Sequence, residues 1–199
     1  MRIITGTAKG TKLFTLDGDA TRPTSERAKE ALFSMLQFDI EGRRVLDLFA
    51  GSGQLGLEAI SRGAGHCTFV DSSADAIGIV KKNIEKTHFG DKTKTQIADY
   101  RNFLRKSDGR EGFDIIFLDP PYASDALTDA LLRLYRTGLM HKGCLVVCES
   151  ENSDNRVFKK EPKLCDMYKS VKANGYGRVN IEIITPSDAY FVKDGSDEQ

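Results

Sequence analysis

Short apolar segments alternate with longer amphipathic segments along most of this chain. Five short segments, most of them apolar runs, predict strands at residues 45–49, 67–70, 95–98, 113–118 and 144–148. The segments between them carry apolar residues at helical spacing, for example Ile77, Val80 and Ile84 after the second run. Near-continuous apolar strands separated by amphipathic helices are typical of a parallel sheet covered on both faces. The pattern therefore predicts an α/β fold.

The two ends of the chain depart from this alternation. Alternating apolar positions in residues 1–16 predict a small β-hairpin, and a helix with an apolar stripe follows it. Near the other end, residues 167–173 and 178–184 flank the turn sequence Asn174-Gly175-Tyr176-Gly177. This arrangement predicts two antiparallel strands at one edge of the sheet, so the sheet is expected to be mostly parallel with seven strands.

The length and charge of the chain set limits on its organisation and partners. Its 199 residues suit one domain, which we place at residues 1–186, with a front section at 1–40, a sheet core at 41–186 and a polar, flexible tail at 187–199. Basic and acidic residues number 29 each, so bulk electrostatics would not hold the protein on nucleic acid. The front section is locally basic, which fits either a solvated face or contacts with backbone phosphates.

Other features point to a cytoplasmic protein. The sequence contains no apolar leader and no run long enough to span a bilayer. The cysteines, at positions 67, 144, 148 and 165, lack C-x-x-C spacing, and only three histidines are available as further ligands. We therefore expect reduced thiols and no metal. No long apolar surface stripe remains, which favours a monomer.

The stretch from Val45 to Gly56, VLDLFAGSGQLG, joins a strand to a helix through a glycine loop. Gly51 and Gly53 can adopt backbone angles that let a ligand approach the main chain, and the helix directs its free N–H groups at that ligand. Asp47 lies inside the strand, where a charge needs a partner, so the ligand is expected to carry a positive charge or a donor. The G-x-G-x-x-G pattern also permits a dinucleotide.

Four acidic residues fall at or near the ends of successive predicted strands: Asp47, Asp71, Asp99 and Asp119. The carboxyl ends of parallel strands form the edge where ligands bind in such sheets. Asp71 is placed to bind two ribose hydroxyls, Asp99 to accept from an adenine amino group, and Asp47 to lie near an ammonium. Together they predict one joint site.

The turn Asp119-Pro120-Pro121-Tyr122 is the most specific signal in the sequence. Its two prolines stiffen the backbone and donate no hydrogen bonds. The Asp119 carboxylate and the Pro120 carbonyl can then accept from an exocyclic amine of a nucleobase, while the Tyr122 ring holds the base. The alternative is a stiff turn with a core tyrosine.

These motifs resemble known ones. The glycine loop resembles the S-adenosylmethionine loop of class I methyltransferases, and DPPY resembles their amino-methylating motif. In addition, RPTSERAKEALFSML, DLFAGSGQLGLEAISRGA, FDIIFLDPPY and YGRVNIEII resemble, in order, one bacterial family that methylates a guanine N2 in small-subunit ribosomal RNA. The sequence has fewer arginines in its front loop than that family, Asp71 where Glu is usual, and Gln54 where a small residue is common.

The resemblance implies a Rossmann-like fold, S-adenosylmethionine as cofactor, and a ribosomal RNA substrate within a small-subunit particle. The flipped guanine is expected to be methylated directly, with Asp119, Pro120 and Tyr122 as the catalytic residues. The expected cofactor-binding residues are Asp47, Phe49, Ala50, Gly51, Ser52, Gly53, Gly56, Asp71, Ser72, Asp99 and Tyr100. The expected substrate-binding residues are Arg2, Lys9, Lys12, Arg22, Thr24, Arg27 and Pro121.

Three other functions stay open at this point. Adenine-N6 methyltransferases also use DPPY, although this chain has no room for a separate target-recognition domain. A dinucleotide-dependent oxidoreductase fits the glycine pattern and Asp71 but leaves the DPPY turn without a role. A catalytically idle RNA-binding factor for ribosome assembly is the third, although the intact Asp47 and Asp119 argue against it.

Overall fold

Seven strands and eight α-helices form the part of the chain that the structure, a computed structural model, describes: residues 1–16, 26–106, 112–121, 125–151, 157–177 and 179–192. The strands are Arg44–Asp47 (β1), His66–Asp71 (β2), Thr93–Ile97 (β3), Phe113–Leu118 (β4), Met140–Glu151 (β5), Tyr168–Tyr176 (β6) and Val179–Pro186 (β7). The helices are Glu26–Met35 (α1), Gln54–Ser61 (α2), Ala74–Thr87 (α3), Tyr100–Lys106 (α4), Ala126–Leu134 (α5), Val157–Lys160 (α6), Leu164–Met167 (α7) and Asp188–Val192 (α8). None of the helices in these ranges is long and apolar enough to cross a bilayer.

The strands form a single sheet in the order β3-β2-β1-β4-β5-β7-β6. β1 pairs in parallel with both β2 and β4, and β4 pairs in parallel with β5. β7 runs antiparallel to β5 and β6, which confirms the mostly parallel sheet with an antiparallel C-terminal hairpin. The strand order reverses between β1 and β4, and ligands bind in such folds at the carboxyl ends of the strands beside the reversal.

Alternate residues of the central strands face two different helical layers. In β4, Phe117 packs in a core that includes Phe33 of α1 and Leu57 of α2. The next residue, Leu118, packs in a second core, which includes Leu104 of α4 and Leu131 of α5. Because both faces of the strand are covered, its sequence is apolar throughout rather than alternating.

The predicted N-terminal hairpin is present but short. Hydrogen bonds join its arms, from the Ile3 amide to Thr11 at 3.0 Å and from the Gly10 amide to Ile3 at 2.9 Å. Side chains of the core hold it in place: the buried Glu58 carboxylate accepts from the amides of Ile4 and Thr5 at 2.8 and 3.0 Å. The same carboxylate lies 3.4 Å from the buried Lys29 ammonium, so its charge is paired.

The C-terminal region differs from the sequence prediction in two respects. β6 continues through Tyr176, and Asn174 and Gly175, which were expected in the turn, pair with residues of β7. The flexible tail does not begin at residue 187, because α8 follows and its Tyr190 is buried, with its hydroxyl donating to the Thr137 carbonyl. Residues 193–199 lie outside the described ranges.

Candidate functional site

A cavity of about 310 Å³ lies at the carboxyl edge of the sheet, beside the strand-order reversal. Most of the predicted site residues that the structure describes line it: Asp47, Phe49, Ala50, Gly51, Ser52, Asp71, Ser72, Asp99, Tyr100, Asp119, Pro120 and Pro121. The structure therefore brings the glycine loop and the first three residues of the DPPY turn to one cavity. Tyr122 lies outside the described residues.

The three glycines of the loop have different roles. Gly51 and Gly53 have φ angles of +51° and +78°, a region that favours glycine. A Cβ atom added to Gly51 would meet no described atom within 4 Å, so this glycine keeps the main chain open towards the cavity. An added Cβ at Gly56 would lie 2.4 Å from the Phe69 ring, so Gly56 serves the close packing of α2 on β2.

Asp47, at the end of β1, is almost fully buried, with 2% of its surface exposed. One of its carboxylate oxygens accepts from the Gly56 amide at 3.1 Å. Burial raises the pKa of Asp47 to about 7, against the opposing effect of that hydrogen bond, and the charge of Asp71 raises it further. The carboxyl group is therefore partly protonated near neutral pH, and a cationic ligand bound beside it would favour the ionised form.

Asp71, at the end of β2, connects the glycine loop to the start of α3. Its Oδ2 accepts from the Gly51 amide at 2.9 Å, and its Oδ1 accepts from the Ser73 amide at 2.8 Å. Each carboxylate oxygen has a second lone pair, so both can still accept from ribose hydroxyls. The two backbone contacts fix the direction in which the carboxylate faces.

Two aromatic rings form an apolar part of the cavity wall. The rings of Phe49 and Tyr100 lie 5.1 Å apart between centroids. The Tyr100 hydroxyl donates to Asp129 at 2.8 Å, and burial is the main cause that raises its pKa to about 12. Beside them, Asp99 accepts from the Arg101 amide at 2.9 Å and so starts α4. This wall suits a flat base with an amino group at its edge.

Sequence reasoning missed Glu149, which lines the cavity with only 3% of its surface exposed. Leu118 of β4 pairs with Cys148 of β5, so the next residues along the two parallel strands, Asp119 and Glu149, are neighbours. The signal that could have revealed Glu149 is a carboxylate directly after the apolar run of β5, the position that Asp119 has after β4. Two acidic residues, Asp119 and Glu149, therefore line the part of the cavity that meets the proline turn.

Gln54 and the N-terminal segment also contribute to the cavity. Gln54 is the first residue of α2, and its Oε1 is the buried side-chain oxygen or nitrogen that has no hydrogen-bond partner among the residues the structure describes. Met1 and Leu16 line the same cavity, so the hairpin forms part of its wall. An orphaned acceptor beside a glycine loop fits a ligand that carries a donor.

Of the predicted substrate-binding residues, Pro121 lines the cavity, and the basic ones that the structure describes do not. Arg2 forms an exposed ion pair with Glu26 at 3.0 Å, and Lys9, Lys12 and Arg27 are exposed residues that do not line the cavity. Arg22 and Thr24 lie outside the described residues. The substrate-binding roles of all six of these residues stay predictions.

The strand order, and a ligand cavity built on the loop after β1, are those of the class I methyltransferases. A solved Escherichia coli structure described as "Putative methyltransferase yhhF" matches with a TM-score of 0.81 and 27% identity, over 94% of this chain and 98% of that one. The sequence matches the family described as Conserved hypothetical protein 95 over residues 1–185, and the chain belongs to that family.

Two relatives carry more specific names. The Bacillus subtilis protein named "Putative rRNA methyltransferase YlbH" is 40% identical over 152 residues, which cover 76% of this chain and 83% of the relative. "Ribosomal RNA small subunit methyltransferase D" of Haemophilus influenzae is 35% identical over 156 residues, which cover 76% of this chain and 79% of the relative.

Proposed function

We propose that this protein transfers a methyl group from S-adenosylmethionine to the exocyclic N2 of a guanine in ribosomal RNA of the small subunit. The observation that carries the proposal is the shared cavity: the glycine loop and the Asp119-Pro120-Pro121 corner both open onto it. A methyl donor on the loop and an amine at the corner can therefore meet. The names of the two relatives support ribosomal RNA as the substrate.

The chemistry of the cavity wall fits S-adenosylmethionine. Asp71 is available to the ribose hydroxyls, and Asp99, with the two aromatic rings beside it, suits the adenine. Asp47 contacts the Gly56 amide in the first turn of α2, and the Gln54 oxygen belongs to the same turn. The ammonium and carboxylate of the cofactor's amino-acid part would bind beside this turn. When bound, the cofactor supplies an electrophilic methyl group on a sulfonium.

The residues on the other side of the cavity act on the target base. The Asp119 carboxylate and the Pro120 carbonyl accept hydrogen bonds from the amine and direct its lone pair at the methyl group. The Tyr122 ring is proposed to hold the extruded base. Because a sulfonium is already a good electrophile, positioning supplies most of the rate and no metal is needed.

Glu149 favours guanine over the adenine alternative. The Watson–Crick edge of guanine carries two adjacent donors, N1–H and the N2 amine, whereas adenine presents an acceptor beside its N6 amine. A second carboxylate next to Asp119 can accept from N1–H, and adenine offers it no donor at that point. We therefore assign Glu149 to the guanine N1–H.

The zero net charge of the chain supports a substrate that already contains protein, since proteins that bind naked RNA usually have a basic excess. We propose that the protein acts as a monomer in the cytoplasm on a small-subunit particle.

Mass mapping of ribosomal RNA nucleosides from cells that lack the gene tests this function. We expect one N2-methylguanosine to be absent from the small-subunit RNA, and the purified protein with S-adenosylmethionine to restore it on subunits from those cells. Loss of an N6-methyladenosine would instead support the adenine alternative. An unchanged nucleoside map with an assembly defect would support the idle factor, and tight NADH binding by calorimetry would support the oxidoreductase.

A further inference from the structure

Phe14 is a half-exposed aromatic residue whose backbone is fixed by two hydrogen bonds to one side chain. Its side chain is 47% exposed, yet both of its backbone groups bind the fully buried side chain of Asn83 in α3. The Phe14 amide donates to Asn83 Oδ1 at 2.7 Å, and Asn83 Nδ2 donates to the Phe14 carbonyl at 3.0 Å. The ring is therefore presented to solvent from a fixed backbone.

The surroundings of this ring are basic. Phe14 and α3 form a shallow groove, whose lining includes Lys82, Glu85 and Lys86. The Lys86 ammonium lies 4.4 Å from the centroid of the Phe14 ring. Lys81 is exposed on the same helix, so residues 81–86 carry three lysines and one glutamate in a chain whose net charge is zero. The groove has a local positive charge that the rest of the chain compensates.

The groove lies directly beside the candidate active site. Phe14 and Thr15 line the groove, and the next residue, Leu16, lines the cavity. Asn83 also donates to the Ser52 carbonyl in the glycine loop at 2.9 Å. One buried side chain therefore fixes the groove and the loop relative to each other.

We propose that this groove binds a nucleotide of single-stranded RNA that flanks the target base, an inference that rests on the proposed function. The base stacks on the exposed face of Phe14, and the neighbouring phosphates bind Lys82 and Lys86. An aromatic face combined with lysines is the arrangement that binds single strands without sequence readout. An acidic peptide would use the lysines but would leave the ring without a matching group.

The test titrates a fluorescent single-stranded adenosine RNA dodecamer against the full chain at several salt concentrations. Phe14→Ala should weaken binding about tenfold, because base–aromatic stacking is lost. Phe38→Ala, which removes another exposed phenylalanine (90% exposed), is the matched control and should have no effect.

The double variant Lys82→Gln and Lys86→Gln should reduce the slope of log affinity against log salt by about 1.4, since each phosphate contact on a single strand contributes about 0.7. The matched control is Lys94→Gln with Lys163→Gln.

If the groove had only a structural role, the Lys82→Gln and Lys86→Gln double variant would bind RNA with the same salt slope as the native protein. Equal RNA affinity in the Phe14 and Phe38 variants, or equal slopes in the two lysine doubles, would overturn the inference. So would preferential binding of a polyglutamate dodecamer to the native groove.

Calorimetry with S-adenosylmethionine and methylation of small subunits separate the two proposals. Groove variants should keep cofactor affinity and kcat but show a higher KM for subunits. If the native protein methylates subunits and the groove variants have an unchanged KM, only the groove assignment fails. If the native protein binds RNA through the groove but transfers no methyl group, the proposed function fails instead.

Discussion

The carboxylate of Asp47 lies beneath the glycine loop and accepts a hydrogen bond from the Gly56 amide at 3.1 Å. This contact does not compensate for the burial of the charge, since the pKa of Asp47 is still raised to about 7. The free protein therefore carries a destabilising group at the start of its candidate cofactor site.

The first prediction concerns stability against pH. An unfolded aspartate has a pKa of about 3.9, so between about pH 4 and pH 7 the folded protein keeps a proton that the unfolded chain has released. Stability should therefore fall as the pH rises through this range and level off above about pH 7, by about 4 kcal/mol at most. Urea unfolding at pH 5 and pH 8 measures the change.

Asp47→Asn is the control for this pH effect, because the amide cannot ionise. The difference in unfolding free energy between Asp47→Asn and the native protein should grow in favour of the variant from pH 5 to pH 8. A constant difference would mean that Asp47 titrates normally.

The second prediction concerns the proline corner. Asp119→Ala removes an acceptor that directs the amine, so methylation should fall about 100-fold or more while the affinity for S-adenosylmethionine is retained. Single-turnover methylation and calorimetry measure the two quantities. Asp91→Ala, at an exposed position away from the cavity, is the matched control and should be as active as the native protein. An active Asp119→Ala variant would remove the catalytic assignment.

The third prediction concerns the packing of α2. Gly56→Ala would place a Cβ atom 2.4 Å from the Phe69 ring and 2.6 Å from the Cys67 sulfur. The helix must move away from β2, which should cost about 1–3 kcal/mol of stability and weaken cofactor binding. Gly78→Ala in α3 is the control, since its added Cβ meets nothing within 4 Å. That change should be neutral or stabilise by about 0.5–1 kcal/mol, and equal destabilisation by both would contradict the packing role.

The fourth prediction concerns the orphaned acceptor of Gln54. Gln54→Met keeps the length of the side chain but removes a buried oxygen that has no hydrogen-bond partner in the described part of the chain. The free protein should become more stable by about 1 kcal/mol, which is about 2–4 °C in Tm for a chain of this size. Affinity for S-adenosylmethionine should fall in the same variant. A loss of both stability and affinity would show that Gln54 is part of the packing alone.

Much of the fold follows from local patterns in the sequence. The apolar runs mark β1, β2, β4 and β5 because strands covered on both faces are mainly apolar, whereas the edge strand β3 has no buried residue. The acidic residues meet because parallel strands end at one edge. β5 was expected at residues 144–148 but spans Met140–Glu151. Its first part was missed because three exposed residues, 141–143, interrupt the apolar pattern. Such extensions depend on the neighbouring strand rather than on the strand's own sequence.

The parts that were missed depend on long-range pairing. Asn174 and Gly175 favour turns in isolation, but their partners in β7 keep them in a strand. Glu149 joins the site only through the register of β5 against β4, and α8 forms where Tyr190 can be buried. A short segment can show a carboxylate after an apolar run, as at Glu149, but it does not show which residues it will contact.

The Glu58 carboxylate binds the backbone of Ile4 and Thr5 from more than fifty residues away in the sequence. A single core side chain thus replaces the neighbouring strand that would normally protect these amides. Their exchange with solvent deuterium should be as slow as that of the amides in the middle of α2, because both become exposed only when that helix separates from the front of the chain.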